Sequence, residues 1–345
     1  MIGFALATLG NVVLLFLALW AGGVWIWIAL AYITAFTALL DRFVPRLFPD
    51  MSEGEEFPSG AVLSMVLGVA HLLLLGCGVY VLSGDGPGVL PWLGLAVALA
   101  LFFGQVSHPN AHELIHRREK GARILGRVIY SSLLFGHHAS AHVLVHHVHV
   151  CSDQDPNSAR RGVGFYRFFA KAWAGSFRAG LRAENALRAR ASRVRSVGSH
   201  PYLWYVGIAV GLICGSYALF GLRGLGTLLF IAFYAQVQIL LADYVQHYGL
   251  RRRLRENGKP EPVGPGHSWN APHWFSSALM VNAPRHSDHH LNPLRPYPGL
   301  RLNPETMPVL PHSLPVMAAI ALWPPLWRRV MARCLKGLPV PGDAR

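Results

Sequence analysis

Long apolar stretches, separated by short turns and by longer polar segments, dominate the pattern of the chain. The first forty residues contain no charged side chain, and a spanning helix needs roughly 20 apolar residues. This stretch therefore predicts two spans, at about 2–20 and 24–40, joined at Gly22-Gly23. The same criterion predicts four more spans, at about 61–81, 89–106, 202–220 and 225–242. The pattern predicts an all-α integral membrane protein with six transmembrane helices in three hairpins.

The positive charges are distributed unevenly over the polar segments. Thirty of the 31 Lys and Arg residues fall in residues 41–60, 107–200 and 243–345, and only Arg223 falls on the other side of the predicted bundle. Because cytoplasmic loops carry the excess of Lys and Arg, both termini are predicted to be cytoplasmic. In this prediction the chain is one domain, 1–345, in the inner (cytoplasmic) membrane, with a cytoplasmic helical cap formed by 107–200 and 243–345.

Composition agrees with a membrane protein and bears on its partners. The chain is 52% hydrophobic and 14% charged, compared with about 25% charged residues in ordinary globular proteins. Its net charge is +14, which makes the predicted cytoplasmic face basic. At the end of membrane spans, anionic lipid headgroups are the favoured partner of such a face, in preference to nucleic acid. An acidic protein partner is also compatible with it.

Histidines are concentrated just beyond the predicted spans. The chain has 18 His, of which only His71 lies inside a span. Three groups have helical spacing, which places residues on one helix face, and a further His follows the sixth span. These nine candidate metal ligands are His112, His116, His142, His146, His147, His247, His286, His289 and His290.

Nine clustered imidazoles exceed what one tetrahedral zinc can use. They suit two metals with four or five nitrogens each, although imidazole binds iron, copper, zinc and nickel alike. The remaining histidines are weaker candidates. Eight of them are His108, His137, His138 and His149, which neighbour the groups, His267, His273 and His312, which are expected to support a ligand or the fold, and the intramembrane His71.

One stretch also matches a different chemistry. His112-Glu113-Leu114-Ile115-His116 has the H-E-x-x-H pattern of zinc proteases, in which the Glu is the general base. A protease would leave seven clustered His unexplained, so this interpretation is a distant alternative. With two metals bound, we expect Glu113 to orient an imidazole through its second nitrogen. Asp243 is expected to do so for His247, and Asp288 for the last histidine group.

At these residues the sequence resembles the membrane alkane hydroxylases, which are relatives of xylene monooxygenase and of membrane fatty-acid desaturases. The stretch Asp243–Leu250 is similar to the family's N-Y-x-E-H-Y-G-L segment, Arg285–His290 matches R-H-S-D-H-H, and Asp155–Arg160 resembles the stretch after the second histidine group. The resemblance implies a desaturase-like fold with two non-haem irons held by the nine His. It also implies O2-dependent hydroxylation of a hydrophobic substrate, such as the terminal methyl of an alkane. Desaturation, or hydroxylation of acyl chains or aromatic methyl groups, stays open within the same superfamily.

The electrons for such a reaction must come from another protein. The four cysteines form no Cys-x-x-Cys pair of the kind that holds an iron–sulfur centre. The resemblance implies an external rubredoxin or ferredoxin with its reductase. An Arg-rich stretch, 178–195, could dock such an acidic carrier or lie on anionic headgroups. Its basic residues are Arg178, Arg182, Arg188, Arg190, Arg193 and Arg195.

Overall fold

A computed structural model describes residues 1–44, 50, 57–86, 88–191 and 196–336, so that Arg193 and Arg195 lie outside the described residues. Within these ranges the chain forms helices, turns and loops and no β-strand. Two isolated bridges, Leu254–Pro260 and Asn270–Val309, are the extended pairings found there. The prediction of a helical protein is confirmed for the described part of the chain.

Twelve helical elements organise the described residues. They are α1 (Ile2–Ala21), α2 (Val24–Phe43), α3 (Pro58–Ser83), α4 (Val89–His116), α5 (Lys120–Ser132), α6 (residues 138–149), α7 (Phe165–Ala189), α8 (Pro201–His247), α9 (Trp274–Leu279), α10 (His286–Leu291), α11 (Leu314–Ala321) and α12 (Pro324–Leu335). Short 3₁₀ turns are found at Val197–Ser199, Pro265–His267 and Tyr297–Gly299. Of these elements, α1 to α4 and α8 are long and apolar enough to cross a membrane. The chain is therefore a multi-pass membrane protein.

Helix α8 contains both of the last two predicted spans. It has 47 residues, and at about 1.5 Å per residue it is longer than twice the roughly 30 Å of a bilayer core. Gly221 interrupts it with a φ of 61° and a ψ of −155°, a conformation that glycine adopts without a Cβ clash. The interruption falls where the sequence predicts the turn between the two spans. At the same end of the molecule Arg223 forms an ion pair with Asp85, which lies between α3 and α4.

Helix α4 continues well past the predicted end of its span at residue 106. A π-helical segment, Phe103–Ser107, leads directly into His108–His116. Two buried polar side chains of this extension have partners: Asn110 Nδ2 donates to the Ser64 carbonyl at 2.9 Å, and His108 Nδ1 lies 3.0 Å from the Tyr130 hydroxyl. These contacts support the helix beyond its apolar stretch, and it carries two candidate ligands at its end.

The segments between the spans pack along the bundle. Helix α5 contacts α3, α8 and the end of α4. Its Leu125 lies so close to Gly68, ten residues into α3, that a Cβ there would meet the leucine at 2.5 Å. Helices α6 and α7 pack against each other, and α7 also packs on α8. This arrangement gathers the ends of α4 and α8 beside α6 and α10.

Candidate metal centre

All nine candidate histidines come together at the ends of these helices, in two groups. Within each group one ligand atom from every residue lies within 4.8 Å of the others. The five-His cluster consists of His112, His116, His142, His147 and His289. The four-His cluster consists of His146, His247, His286 and His290.

The ring nitrogens converge at distances that suit a shared metal. In the five-His cluster His142 Nε2 lies 2.7 Å from His112 Nε2 and 2.9 Å from His147 Nε2. In the four-His cluster His286 Nε2 lies 3.0 Å from His247 Nε2 and 3.1 Å from His290 Nε2. Metal–imidazole bonds of about 2.1 Å would place ligands at right angles about 3.0 Å apart. The donor sets therefore fit one metal ion in each cluster.

Two further nitrogens support this fit. Among the described residues, Nε2 of His116 and Nε2 of His146 are buried and have no hydrogen-bond partner. An unsatisfied buried polar group costs about 1–3 kcal/mol. A metal ion at each cluster would satisfy these lone pairs and remove that cost.

Each histidine group after the first serves both clusters. The segment His142–His146 of α6 is π-helical, a form with i to i+5 hydrogen bonds that is frequent at functional sites. This geometry brings His142 and His147, five residues apart, into one cluster, while His146 faces the other. In α10, His289 belongs to the five-His cluster, and His286 and His290 belong to the four-His cluster. The two clusters are therefore adjacent and share their supporting helices.

Burial favours the neutral form of five candidate ligands. It lowers the pKa of His142, His147, His286, His289 and His290 well below the ordinary histidine value, and neighbouring imidazoles lower it further. A neutral imidazole has a lone pair free for a metal. The buried environment thus favours the metal-binding form.

A carboxylate that was not among the predicted site residues holds one of these rings. His146 Nδ1 lies 2.9 Å from Asp155 Oδ2, and both side chains are buried. Burial lowers the pKa of His146, but the negative charges of Asp155 and Asp243 outweigh it, so that this pKa stands above its ordinary value. Burial raises the pKa of Asp155, but His146, the Ser158 hydroxyl and the Asn157 N–H together lower it below its ordinary value. With Nδ1–H donating to Asp155, Nε2 of His146 is the atom left for a metal.

His247 is oriented by a backbone carbonyl. Its Nδ1 lies 3.1 Å from the carbonyl oxygen of His267, and this contact turns Nε2 towards His286. Cys151 donates its thiol to the same carbonyl at 3.1 Å. The only sign of Asp155 in the sequence was its place in the stretch that resembles the family after the second histidine group. The role of the His267 carbonyl had no sequence signal.

The three carboxylates predicted to orient imidazoles make other contacts. Glu113 Oε1 pairs with Arg117 Nε at 2.8 Å, and Asp243 Oδ2 accepts from Asn157 Nδ2 at 2.6 Å. Asp288 accepts from Asn292, Arg295 and the backbone N–H of Arg301. None of the described contacts joins them to a candidate ligand. The prediction of their direct hydrogen bonds is therefore corrected, because nearby amide and guanidinium donors satisfy them.

The H-E-x-x-H stretch does not form a protease site here. Its two histidines join three other imidazoles in the five-His cluster. Glu113, which would have to act as base on a metal-bound water, is instead engaged with Arg117. This geometry disfavours the protease interpretation.

The other histidines lie around the clusters or apart from them. The His138 ring lies 5.4 Å from that of His142 and 5.7 Å from that of His108, and His137 Nε2 lies 3.2 Å from the Ser176 hydroxyl. His267 contacts Glu261 at 3.2 Å, while His273 and His312 line a separate cavity of about 620 Å³. His71 is buried between the hydroxyls of Ser107 and Ser132, at 2.5 and 2.7 Å. His149 is partly exposed near Arg252. None of these eight belongs to either cluster.

Comparison with known proteins identifies relatives across most of the chain. A model of the fatty acid desaturase family matches residues 87–320. Alkane 1-monooxygenase 2 of Alcanivorax borkumensis is 29% identical over 89% of this chain and 82% of its own length. Alkane 1-monooxygenase 2 of Pseudomonas aeruginosa is 30% identical over 89% and 83%. The hydroxylase component of xylene/toluene monooxygenase from Pseudomonas putida is 26% identical over 90% and 83%.

Proposed function

Since this chain belongs to the fatty acid desaturase family, among its membrane alkane monooxygenases, we propose that it hydroxylates a C–H bond of a hydrophobic substrate at a di-iron centre. It is an oxidoreductase. The proposed reaction converts the terminal methyl of an alkane into a primary alcohol. One oxygen atom of O2 enters the product and the other leaves as water, while two electrons and two protons come from outside.

The observation that carries this proposal is the pair of imidazole clusters. Nine nitrogen ligands without a thiolate or carboxylate support two metal ions, held by His112, His116, His142, His147 and His289 and by His146, His247, His286 and His290. Zinc has no redox chemistry, and an unactivated C–H bond offers no handle for an acid, a base or a nucleophile. Iron suits imidazole ligands and supplies the oxidising power when it is bound.

The protein itself supplies position and environment. Asp155 and the His267 carbonyl fix the orientation of two rings, and His142, His146, His247 and His286 are almost inaccessible to solvent. Burial at the ends of α4 and α8 excludes water and places the centre where an apolar substrate can arrive from the bilayer. An alkane offers no hydrogen bonds, so the shape of its path must select the carbon that reacts.

The membrane topology is also a proposal. The interruption of α8 at Gly221 supports two crossings by that helix, which with α1 to α4 makes six spans. The 30-to-1 distribution of Lys and Arg supports cytoplasmic termini and a cytoplasmic metal centre in the inner membrane. Electrons are proposed to come from a soluble rubredoxin or ferredoxin with its reductase. A cysteine introduced near Arg223 should react with a reagent that does not cross the membrane when this reagent is added outside.

The decisive experiment combines metal analysis with product analysis. Purified protein should contain close to two irons and little zinc. Membranes supplied with a redox chain should convert an alkane into its primary alcohol, as measured by gas chromatography with an internal standard. Activity with zinc alone, or with one metal per chain, would refute the di-iron proposal.

The match to the xylene/toluene enzyme component supports a second candidate, hydroxylation of an aromatic methyl group. Desaturation or hydroxylation of an acyl chain is a further alternative in the family. The same assay distinguishes them when alkanes, alkylbenzenes and fatty esters are offered together. A benzylic alcohol or an alkene as the main product would replace the alkane proposal and leave the metal assignment intact.

A further inference from the structure

Helix α7 presents three distinct faces along its length. Its buried residues recur every three or four positions, as one helix face requires; they are Phe165, Phe168, Ala172, Ser176, Gly180 and Glu184. A second stripe consists of the exposed aromatic residues Tyr166, Trp173 and Phe177. A third stripe consists of exposed basic residues, Arg167, Lys171, Arg178 and Arg182. At about 100° per residue, the aromatic and basic stripes lie side by side.

The basic stripe has no acidic counterpart on its own helix. Glu184 is the one acidic residue of α7, and its buried carboxylate accepts a hydrogen bond from the Ser140 hydroxyl at 2.6 Å. The exposed surface of α7 is therefore positively charged along several turns. Such a surface attracts a negatively charged partner.

The aromatic stripe continues onto the lipid-facing side of α8. Trp173 Nε1 donates to Gln236 Oε1 at 2.8 Å, and the rings of Phe169 and Phe233 lie 5.9 Å apart. Phe233 is 54% exposed on an apolar helix. Gln236 lies eleven residues before His247, or roughly 16 Å along the helix axis. The aromatic stripe thus lies beside the spanning part of α8, short of its end at the metal centre.

We propose that α7 lies in the membrane interface, with its aromatic stripe between acyl chains and its basic stripe against the phosphates of anionic lipid headgroups. A lipid surface is the one partner that receives both stripes at once. A soluble acidic protein could contact the basic stripe but would leave the aromatic stripe in water. Helix α7 is therefore assigned to anionic lipid, and an electron carrier must approach the metal centre by another face.

The position of α7 can be measured with nitroxide labels in nanodiscs. The labels are placed one at a time at Ala170, within the aromatic stripe, and at Lys171, within the basic stripe. The exposed or half-exposed native thiols, Cys77, Cys214 and Cys334, are first replaced by Ser. We expect the label at 170 to collide more with O2 than with an aqueous nickel chelate, and the label at 171 to show the reverse. Preference for the nickel chelate at both positions would overturn the proposal.

Headgroup binding can be tested with lipid mixtures. In discs of phosphatidylcholine and phosphatidylglycerol, the lipid retained by the purified protein should be enriched in phosphatidylglycerol, as read by mass spectrometry. This enrichment should be lost in the variant Arg167→Gln/Lys171→Gln/Arg178→Gln/Arg182→Gln. The matched control, which removes the same charge elsewhere, is Arg118→Gln/Arg253→Gln/Arg255→Gln/Lys259→Gln.

The outcomes separate lipid from a protein partner. Loss of enrichment in the α7 variant alone supports the proposal, and equal loss in the control refutes it. Unchanged enrichment, together with weaker saturation by a reduced acidic carrier, would instead make α7 the carrier-docking surface. Because label accessibility and retained lipid are read without turnover, a failure of the proposed reaction would not alter either result.

Discussion

The two histidine clusters differ more in what surrounds them than in their ligand atoms. The five-His cluster takes two rings from the end of α4, and none of its rings is hydrogen-bonded to a carboxylate in the described part of the chain. The four-His cluster has one ring fewer. Two of its rings are oriented by a contact at Nδ1, that of His146 with the Asp155 carboxylate and that of His247 with the His267 carbonyl.

This difference indicates that the two clusters would offer inequivalent positions to the proposed metals. A carboxylate behind a ligating imidazole fixes its tautomer and makes it a stronger donor. The four-His cluster would thus compensate for its smaller number of ligands with better-oriented and more basic ones. The five-His cluster would instead bind its metal with a larger number of ligands. Substitutions that remove one part of this difference at a time should separate the effect of ligand number from that of ligand orientation.

The largest effect is expected from His247→Ala, which leaves three rings in the four-His cluster. Because α8 offers no other imidazole near its end, iron at this position should be lost, and hydroxylation should fall below detection. Iron content by mass spectrometry and alcohol formation by gas chromatography measure the two effects. His312→Ala, which removes a ring outside both clusters, should keep both properties. A fully iron-loaded, active His247→Ala protein would exclude His247 as a ligand.

A smaller effect is expected from His116→Ala. The five-His cluster would keep four rings, a number that suffices for many metal sites, so most of the iron should remain. Activity should fall by roughly 100-fold, the upper end of the range for disturbed ligand geometry. Comparing the iron content of this variant with that of His247→Ala tests the contrast directly. Equal loss of iron in both variants would show that ligand number does not distinguish the clusters.

Asp155→Asn should weaken the four-His cluster without removing a ligand. Loss of a carboxylate that orients a metal ligand typically costs about 10–100-fold in metal affinity or activity. The matched control is Asp153→Asn, two residues away, whose exposed carboxylate pairs with Arg160. Mössbauer spectra of iron-57 protein should change for one iron only. Unchanged spectra and activity in Asp155→Asn would contradict the inference that Asp155 compensates for the smaller number of ligands in the four-His cluster.

The smallest effect on the metal centre is expected from Glu113→Gln. The carboxylate contacts Arg117 rather than an imidazole, so iron content should stay unchanged. Losing this charged hydrogen bond should lower the free energy of unfolding by about 1.5–3 kcal/mol, which thermal unfolding in detergent can measure. Glu113→Asp, which keeps the charge, serves as the control. Loss of iron in Glu113→Gln would instead indicate that Glu113 orients one of the ligating imidazoles.

The sequence predicted which histidines come together but not how they divide. Spacings of three and four residues indicated common faces, and all nine residues are indeed gathered. The rule that i and i+4 share a face fails at His142 and His146, because the π-helical turn pairs His142 with His147 instead. This wider helical turn depends on tertiary contacts, and the residue composition of the segment does not indicate it.

Helix geometry explains the contact that Glu113 makes. Adjacent residues on a helix point about 100° apart, so Glu113 cannot face the same way as His112. Its i+4 neighbour, Arg117, is the partner that helix geometry favours. By contrast, Asp155 lies in a loop, nine residues after His146 in the sequence. Its contact with His146 depends on tertiary structure alone.

The fold was predictable where hydropathy alone determines structure. The starts and ends of α1 and α2 agree with the predicted spans within a few residues. The prediction stopped too early in α4 because hydropathy falls after Val106, while the helix is carried on by buried contacts such as that of Asn110 with Ser64. When a helix continues beyond its span with polar residues, hydropathy alone does not distinguish this part of the sequence from a loop. The distinction depends on the buried partners of those residues.

Helices α4 and α8 are continuous with the candidate metal centre that they support. Helix α4 ends in His112 and His116 of the five-His cluster, and α8 ends in His247 of the four-His cluster. Two helices that enter the bilayer therefore hold different clusters. Spanning helices tilt when the hydrocarbon thickness does not match their apolar length. A change in tilt between these two helices would alter the separation of the two clusters. We expect turnover to depend on acyl-chain length in discs of otherwise identical lipid; equal rates in 14- and 18-carbon lipids would exclude this mechanical coupling.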